Sequence, residues 1–199
     1  MGMPAIQRDW TADEVRALQD ESRPWPRYEL IDGELLVTPS PGTVHQVAVG
    51  ALLLLLDPYV TQEDIGIALP SPADLELQPG EITQPDVFVV PLLESPQTDR
   101  LGTWADVKRL LLAVEVISPS SVHTDRVKKR RYYLAAGVPE YWVVDLDART
   151  LERWTPGDDT PTTLRSMFEW RPAGASAPLI IDLTSMFDRI WTRRRRMPF

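Results

Sequence analysis

Residues 110–117, LLLAVEVI, are apolar except for one acid, Glu115. A run this apolar is typical of a strand buried on both faces in the middle of a sheet. A second apolar run, QPDVFVVP at 84–91, starts at Pro85-Asp86. Helical patterns lie before and after both runs, so the sequence predicts an α/β domain with a central sheet.

Three helices are predicted around these strands. Residues 11–20 (TADEVRALQD) open with a capping-box pattern. A largely buried helix is predicted over 43–56, with Asp57-Pro58 past its end. A third helical pattern runs over about 125–136 and is closed by Gly137, which suits a left-handed C-cap.

A β-hairpin is predicted over residues 27–38, RYELIDGELLVT, because Asp32-Gly33 between two apolar-rich strands is a strong hairpin signal. With these two residues as the turn, one face carries Glu29, Ile31, Glu34 and Leu36, and the other carries Tyr28, Leu30, Leu35 and Val37. The second face is the more apolar one, and we expect it to face the core.

Shorter apolar patterns between turns predict further strands. These cover residues 66–69, 73–77, about 140–146, about 150–155 and about 162–169. The final segment, PLIIDLTSMFDRIW, is expected to pack back on the sheet. No internal repeat divides the chain, so we expect one domain spanning 1–199, with 193–199 as a flexible basic tail.

Composition limits both the chemistry and the location. The chain has no cysteine, so a metal would be held by oxygen ligands or by the two histidines. No signal-peptide pattern opens the sequence, and the apolar stretch at 51–56 is too short to span a bilayer, which favours a cytoplasmic protein with no membrane partner.

The net charge of −8 argues against a protein that coats nucleic acid. Basic clusters at 126–131 and 193–196 are typical of a solvated helix face and a frayed tail, but they also leave a local basic patch open.

Asp86 and Glu115 form the candidate site, because each places an acid in or beside an apolar strand. Burying an unpaired carboxylate is costly, so something must compensate both. Acids on neighbouring strands can share a hard cation such as Mg²⁺ or Mn²⁺. The structural alternative is that Asp86 caps a turn after Pro85 and that Glu115 pairs with an arginine or lysine.

Lys129 is the candidate cation for this site. Asp125, Lys129 and Tyr133 are spaced four residues apart, so they share one face of the predicted helix. If that helix folds back across the sheet, Lys129 would hold or deprotonate an attacking water, or balance charge in the transition state. Pairing with Asp125 alone is the structural alternative for this lysine.

Taken together, these segments resemble the Uma2 family, a branch of the PD-(D/E)xK nuclease superfamily. The resemblance covers about residues 10–155 and rests on the order and spacing of YELIDGEL (28–35), His45, QPDVFVV (84–90), VEVISPSS (114–121), Asp125, Lys129, Tyr133 and GVPEYWVVD (137–145). It implies a restriction endonuclease-like core, in which a central mixed β-sheet is flanked by helices. The N-terminal helix and the β-hairpin would be added to this core.

The resemblance also implies a divalent metal, Mg²⁺ or Mn²⁺, bound by Asp86, Glu115 and the carbonyl of Val116. The superfamily's usual lysine is missing, because the position two residues after Glu115 is Ile117. In Uma2-like chains the lysine lies on the following helix, which implies Lys129.

Other residues near that motif are further candidates. Lys128 competes with Lys129 for the role of active-site lysine. Glu29, Glu34 and His45 are included because the family tends to present an acid and a histidine near the metal, directly or through water. Packing at the helix N-terminus is the alternative for His45, and His123 is expected at the surface.

The leading hypothesis is therefore a metal-dependent endonuclease that hydrolyses phosphodiester bonds in DNA. The alternative is a non-catalytic binding or assembly module that retains the nuclease fold. An intact Asp/Glu/Lys set favours the enzyme, whereas the acidic net charge favours the module. Nucleases that cut both strands commonly act as two-fold dimers, so a homodimer is a further expectation. Its interface could use Trp104, Trp170 or Trp191. The alternative, which is more common for tryptophan, is that these side chains pack in the core.

Overall fold

A six-stranded sheet organises the residues that the computed structural model describes, which are 9–21, 26–92, 104–118 and 121–195. Its strands are β3 (Gly66–Pro70), β4 (Val87–Pro91), β5 (Leu112–Val116), β6 (Tyr141–Asp145), β7 (Thr150–Trp154) and β8 (Thr162–Leu164). Two antiparallel pairs lie outside it, β1 (Arg27–Ile31) with β2 (Glu34–Thr38) and β9 (Met167–Trp170) with β10 (Leu179–Asp182). The α-helices are α1 (Ala12–Glu21), α2 (Thr43–Gln62), α3 (Arg130–Ala135) and α4 (Leu183–Arg195), and a π-helical segment, Thr124–Lys129, runs directly into α3.

The sheet is mixed, with the strand order β3-β4-β5-β6-β7-β8. β5 and β6 are parallel, and the other neighbouring strands are antiparallel. A parallel pair requires a crossover, which the π-helical segment and α3 provide. Every residue of β5 is buried. The predicted α/β fold with a central mixed sheet and flanking helices is therefore confirmed.

Different elements cover the two faces of this sheet. On one face α2, α4 and the β9–β10 pair pack around Leu52, Trp142 and Phe187. On the other face the β1–β2 hairpin and α3 pack around Phe88 and Tyr133. Alternate residues of a strand point to opposite faces, so the side chains of each central strand enter both cores in turn.

The hairpin has the predicted turn and register. Ile31 pairs with Glu34, and both turn residues have positive φ, 52° at Asp32 and 72° at Gly33. Two central residues of this kind form the type I′ turn that matches the twist of the flanking strands.

The predicted core face of the hairpin does enter a hydrophobic core, but the other face is the one that packs on the sheet. Glu29 and Leu36 lie on the face that is buried against the sheet, whereas Val37 is exposed on the other face. Leu30, on that second face, instead forms a small separate core with Val15 of α1. Because α1 adds a second core, apolarity alone did not identify the face toward the sheet.

Helix α2 is longer than predicted, since it continues through Pro58 to Gln62. Proline removes the hydrogen bond to the carbonyl four residues earlier, that of Leu54. The Leu54 side chain is exposed, so this loss falls on the outer side of the helix, and Val60 is buried beyond it. Among the described residues, α2 alone has the length and composition of a membrane span, a test that the core helix of a soluble protein also passes.

Two of the predicted strands differ from the structure. Residues 73–77 form a single bridge, from Leu75 to Thr83, because their alternation reflects burial of Ala73 and Leu75 rather than strand pairing. The predicted strand 162–169 is divided into β8, which extends the sheet, and β9, which pairs with β10.

The basic segment predicted as a flexible tail is in part helical. Residues 193–195 continue α4, whose preceding residues Ile190 and Trp191 pack on the core. Arginine is a good helix former and its charge suits the last turn of a helix, which explains the continuation. Residues 196–199 lie outside the described part of the chain.

Candidate active site

Asp86 and Glu115 lie side by side where β4 meets β5. Val87 is opposite Val114, so the same register places Asp86 opposite Glu115, with both side chains on the hairpin side of the sheet. Both residues are buried, and Oδ2 of Asp86 accepts a 3.0 Å hydrogen bond from the backbone N–H of Val116. The N–H and C=O of a strand residue point to the same edge, so the Val116 carbonyl also faces Asp86.

Lys129 connects the acids of three different elements. Its Nζ lies 2.8 Å from Oε2 of Glu29, 2.9 Å from Oε1 of Glu115 and 3.8 Å from Oδ1 of Asp125. The hydroxyl of Tyr133 donates to the same Oε1 of Glu115 at 3.3 Å. The predicted face of Asp125, Lys129 and Tyr133 is therefore turned toward Glu115, and all three residues are buried.

Lys128, the alternative active-site lysine, points elsewhere. It forms an ion pair with Glu34 at the surface, where half of the Glu34 side chain is exposed. His123 is exposed, as expected. The helix geometry thus separates two neighbouring lysines, and only Lys129 reaches the buried acids.

His45 and Arg27 approach Asp86 from outside the sheet. Nε2 of His45, in the first turn of α2, lies 2.9 Å from Oδ2 of Asp86, and Nη1 of Arg27 donates to Oδ1 at 3.3 Å. Sequence reasoning did not identify Arg27 as a site residue. The signal was nevertheless present, because Arg27 is two residues before Glu29 and so lies on the same face of β1.

These contacts determine how Asp86 ionises. Burial raises the pKa of Asp86, but the hydrogen bond and charge of His45, the charge of Lys129 and the Val116 N–H outweigh it. The pKa is therefore held below its usual value of 3.8. Asp86 is accordingly an anion under ordinary conditions.

Glu115 and Lys129 respond differently to the same buried surroundings. Burial raises the pKa of Glu115 well above 4.5, opposed by Lys129 and reinforced by the neighbouring acids. Burial lowers the pKa of Lys129, but the charges of Glu115, Glu29 and Asp125 outweigh it and raise the pKa well above 10.5. In these surroundings Lys129 is held as a cation, which favours a role as hydrogen-bond donor over a role as general base.

A cavity of about 200 Å³ lies beside these groups. It is lined by Asp86, Glu115, Lys129 and His45, and by residues 38–42, which connect the hairpin to α2. A groove of similar volume between α2 and α4 is lined mainly by aliphatic side chains. The charged cavity is the one that suits chemistry on a polar substrate.

The donor set of this cavity fits a divalent cation. Four buried acids, Asp86, Glu115, Glu29 and Asp125, lie around Arg27 and Lys129, and a cation bound between Asp86 and Glu115 would offset part of their negative charge. A carboxylate offers about four acceptor positions, and Asp86 uses three of them, for Arg27, His45 and the Val116 N–H. In the described part of the chain no three His, Asp or Glu side chains are grouped as a metal site, so the Val116 carbonyl and exchangeable ligands would have to complete the coordination.

The structure thus brings together all the principal candidates predicted from the sequence. They are Asp86, Glu115, the backbone of Val116, Lys129, Glu29 and His45. It places Glu34, Lys128 and His123 outside the cluster. Gln84 is a further residue that sequence reasoning missed: its backbone N–H donates to Oε1 of Glu29 at 2.7 Å.

Two comparisons with known proteins found similar proteins. The model of the Uma2 family, described as "Putative restriction endonuclease", matches residues 12–180. The crystal structure of a "putative nuclease belonging to DUF820" from Anabaena variabilis superposes with a TM-score of 0.71 and 22% sequence identity. That match covers 91% of this chain and 99% of the other. No curated protein matches the sequence.

Proposed function

Because this chain belongs to the Uma2 family, whose model matches residues 12–180, we propose that it is a divalent-metal-dependent endonuclease that hydrolyses phosphodiester bonds in DNA. The observation that carries the proposal is the contact of buried Lys129 with Glu115, beside Asp86 on the next strand. A structural ion pair would not require four buried acids in one cavity. A cation bound at Asp86 and Glu115 would give the additional acids a partner.

In this proposal Asp86, Glu115 and the carbonyl of Val116 hold Mg²⁺ or Mn²⁺. Such a cation would activate a water molecule and stabilise negative charge on the phosphate oxygens. Lys129 and Tyr133 both donate to Oε1 of Glu115, which leaves Oε2 for a further ligand. Glu115 thus has an oxygen to offer without losing its contact with Lys129.

Lys129 acts as a hydrogen-bond donor and a positive charge. Its ammonium would orient the attacking water and balance the charge that develops on the phosphate in the transition state. Glu29 and Asp125 hold the ammonium in place, at 2.8 and 3.8 Å. His45 and Arg27 fix the orientation of the Asp86 carboxylate through its two oxygens.

A non-catalytic binding or assembly module is the second candidate, and the net charge of −8 favours it. The two functions differ in how Lys129 and Lys128 contribute. A nuclease requires the buried Lys129 and tolerates the loss of Lys128. A module that binds through surface charge would respond to the exposed lysine instead.

The test compares Lys129→Met with Lys128→Met in cleavage of circular and single-stranded DNA with Mg²⁺ or Mn²⁺. We expect wild type and Lys128→Met to cleave, and the Lys129→Met rate to fall by about 100-fold or more, the effect of losing one transition-state donor. Circular dichroism of each variant would establish that it is folded. Equal cleavage by both variants, or no cleavage by folded wild type on any DNA form, would contradict the proposal.

A further inference from the structure

A second cavity, of about 240 Å³, adjoins the candidate active site. Arg27 and Gln84 line both cavities, so the two are neighbours across these side chains. The volume is below the roughly 300 to 1,000 Å³ of sites for drug-sized ligands. It therefore suits a single ring system rather than a longer segment.

Apolar surfaces form part of its wall. Pro26 and Pro72 line the cavity together with Trp104, which is 39% exposed. The Trp104 ring has an edge-to-face contact with the buried Phe88, with ring centroids 5.9 Å apart. This contact supports the indole ring and still leaves much of it accessible for stacking.

Gln84 provides a buried polar atom with no partner among the described residues. Its Nε2 donates to Oδ1 of Asp74 at 2.6 Å, and its Oε1 is buried without a hydrogen bond, although Gln84 is only 4% exposed. A buried acceptor of this kind is costly unless a ligand donates to it.

We infer that this cavity binds one unstacked nucleobase that carries an exocyclic amino group, next to the phosphate in the active site. The base would stack on Trp104 and donate from its amino group to Oε1 of Gln84. Enzymes that act on nucleic acids commonly receive an extruded or single-stranded base in such an aromatic pocket. The inference rests on the proposed function, since it names a recognition subsite for the same DNA substrate.

Gln84 lines the second cavity and also contacts the support of Lys129 in the active site. Its N–H holds Glu29, which in turn holds Lys129 in the active site. A base held at the Gln84 side chain would therefore contact the same residue whose backbone holds Glu29 and, through Glu29, the candidate catalytic Lys129. Arg27, which contacts Asp86 and lines both cavities, lies between the base and the scissile phosphate.

The test is a nuclear magnetic resonance titration of the full chain, isotopically labelled, that follows the indole N–H of Trp104 and the side-chain amide of Gln84. The probes are dAMP, dCMP, TMP and deoxyribose 5-phosphate, added without metal. We expect saturable shifts with dAMP and dCMP, and weaker binding of TMP and of the sugar phosphate. Trp104→Leu should weaken dAMP binding by about fivefold or more, the lower end of the stacking contribution, whereas Trp104→Phe should retain it.

A second variant tests the role of the buried acceptor. Gln84→Met should reduce the preference for dAMP over TMP while leaving the fold, followed by circular dichroism, intact. Equal shifts with all four probes, or unchanged dAMP affinity in Trp104→Leu, would overturn the subsite. The titration needs neither metal nor cleavage, so the two proposals can fail separately. Base binding by a protein that cleaves no DNA would overturn the proposed nuclease activity alone. Cleavage without base binding would overturn the subsite alone.

Discussion

Replacing Lys129 with methionine should destabilise the protein strongly, because Lys129 is the ammonium that contacts Glu29, Glu115 and Asp125. Methionine keeps the length of the side chain and removes the charge. Breaking a buried ion pair by removing one partner costs about 3–5 kcal/mol. We therefore expect the free energy of unfolding of Lys129→Met to fall by about this amount at pH 7.

The matched control is Lys128→Met, one residue earlier in the chain. Lys128 pairs with Glu34 at the surface, where the side chains are 30% and 50% exposed. Exposed pairs contribute about 0–1 kcal/mol, so this variant should unfold almost like wild type. Urea unfolding of wild type and both variants measures the difference. Equal destabilisation by the two substitutions would refute the argument from burial.

The loss of stability in Lys129→Met should also depend on pH. Glu115 has a pKa raised well above 4.5 in the folded protein, so the folded state binds its proton more tightly than the unfolded state. The stabilisation that protonated Glu115 gives the folded state is present below pH 4.5, and it is lost as the pH rises through the pKa of Glu115 in the folded protein. Without Lys129 the pKa should rise further, so the deficit of Lys129→Met relative to Lys128→Met should be smaller at pH 5.5 than at pH 8. A deficit that grows toward acid pH would contradict this reasoning.

Three further predictions concern other parts of the molecule. Chelation of divalent cations with EDTA should abolish DNA cleavage, and added Mn²⁺ should restore it; cleavage that persists in EDTA would be incompatible with a metal-dependent reaction. Gly66→Ala should cost about 1–3 kcal/mol in thermal unfolding, because its Cβ would lie 2.6 Å from the carbonyl oxygen of Val90, whereas Gly50→Ala, with open space around it, should not. Hydrogen bonds from the Ser176 side chain and backbone hold the pKa of Glu63 below 4.5, so this stabilisation is present above pH 4.5 and is lost as the pH falls through the lowered pKa. A titration of Glu63 by carboxyl resonance should show its pKa rising in Ser176→Ala, and an unchanged pKa would count against the contact.

The sequence predicted those parts of the site that depend on local spacing. Glu115 was recognisable because an acid interrupts an apolar strand, and Asp125, Lys129 and Tyr133 because four-residue spacing defines one helix face. The choice between Lys128 and Lys129 also follows from that spacing once the helix packs on β5. These features survive in the structure because strand and helix periodicities are properties of the backbone.

Features set by tertiary packing were not predictable in this way. The hairpin buries its less apolar face because that face carries Glu29 to Lys129, while α1 covers the other. The π-helical segment, with its hydrogen bond from the Arg130 N–H to the Asp125 carbonyl five residues earlier, does not follow from four-residue spacing. Arg27 contacts Asp86 because the hairpin packs beside β4, and the local sequence does not indicate that packing.

Calorimetric titration of Mn²⁺ would show directly whether Asp86 takes part in a divalent-cation site. The comparison uses wild type, Asp86→Asn, which preserves the size of the side chain, and Asp188→Asn, whose aspartate pairs with Arg149 at the surface. We expect one Mn²⁺ site in wild type and in Asp188→Asn, and its loss in Asp86→Asn. Unchanged Mn²⁺ binding by Asp86→Asn, or no binding by wild type, would mean that Asp86 does not hold a divalent cation.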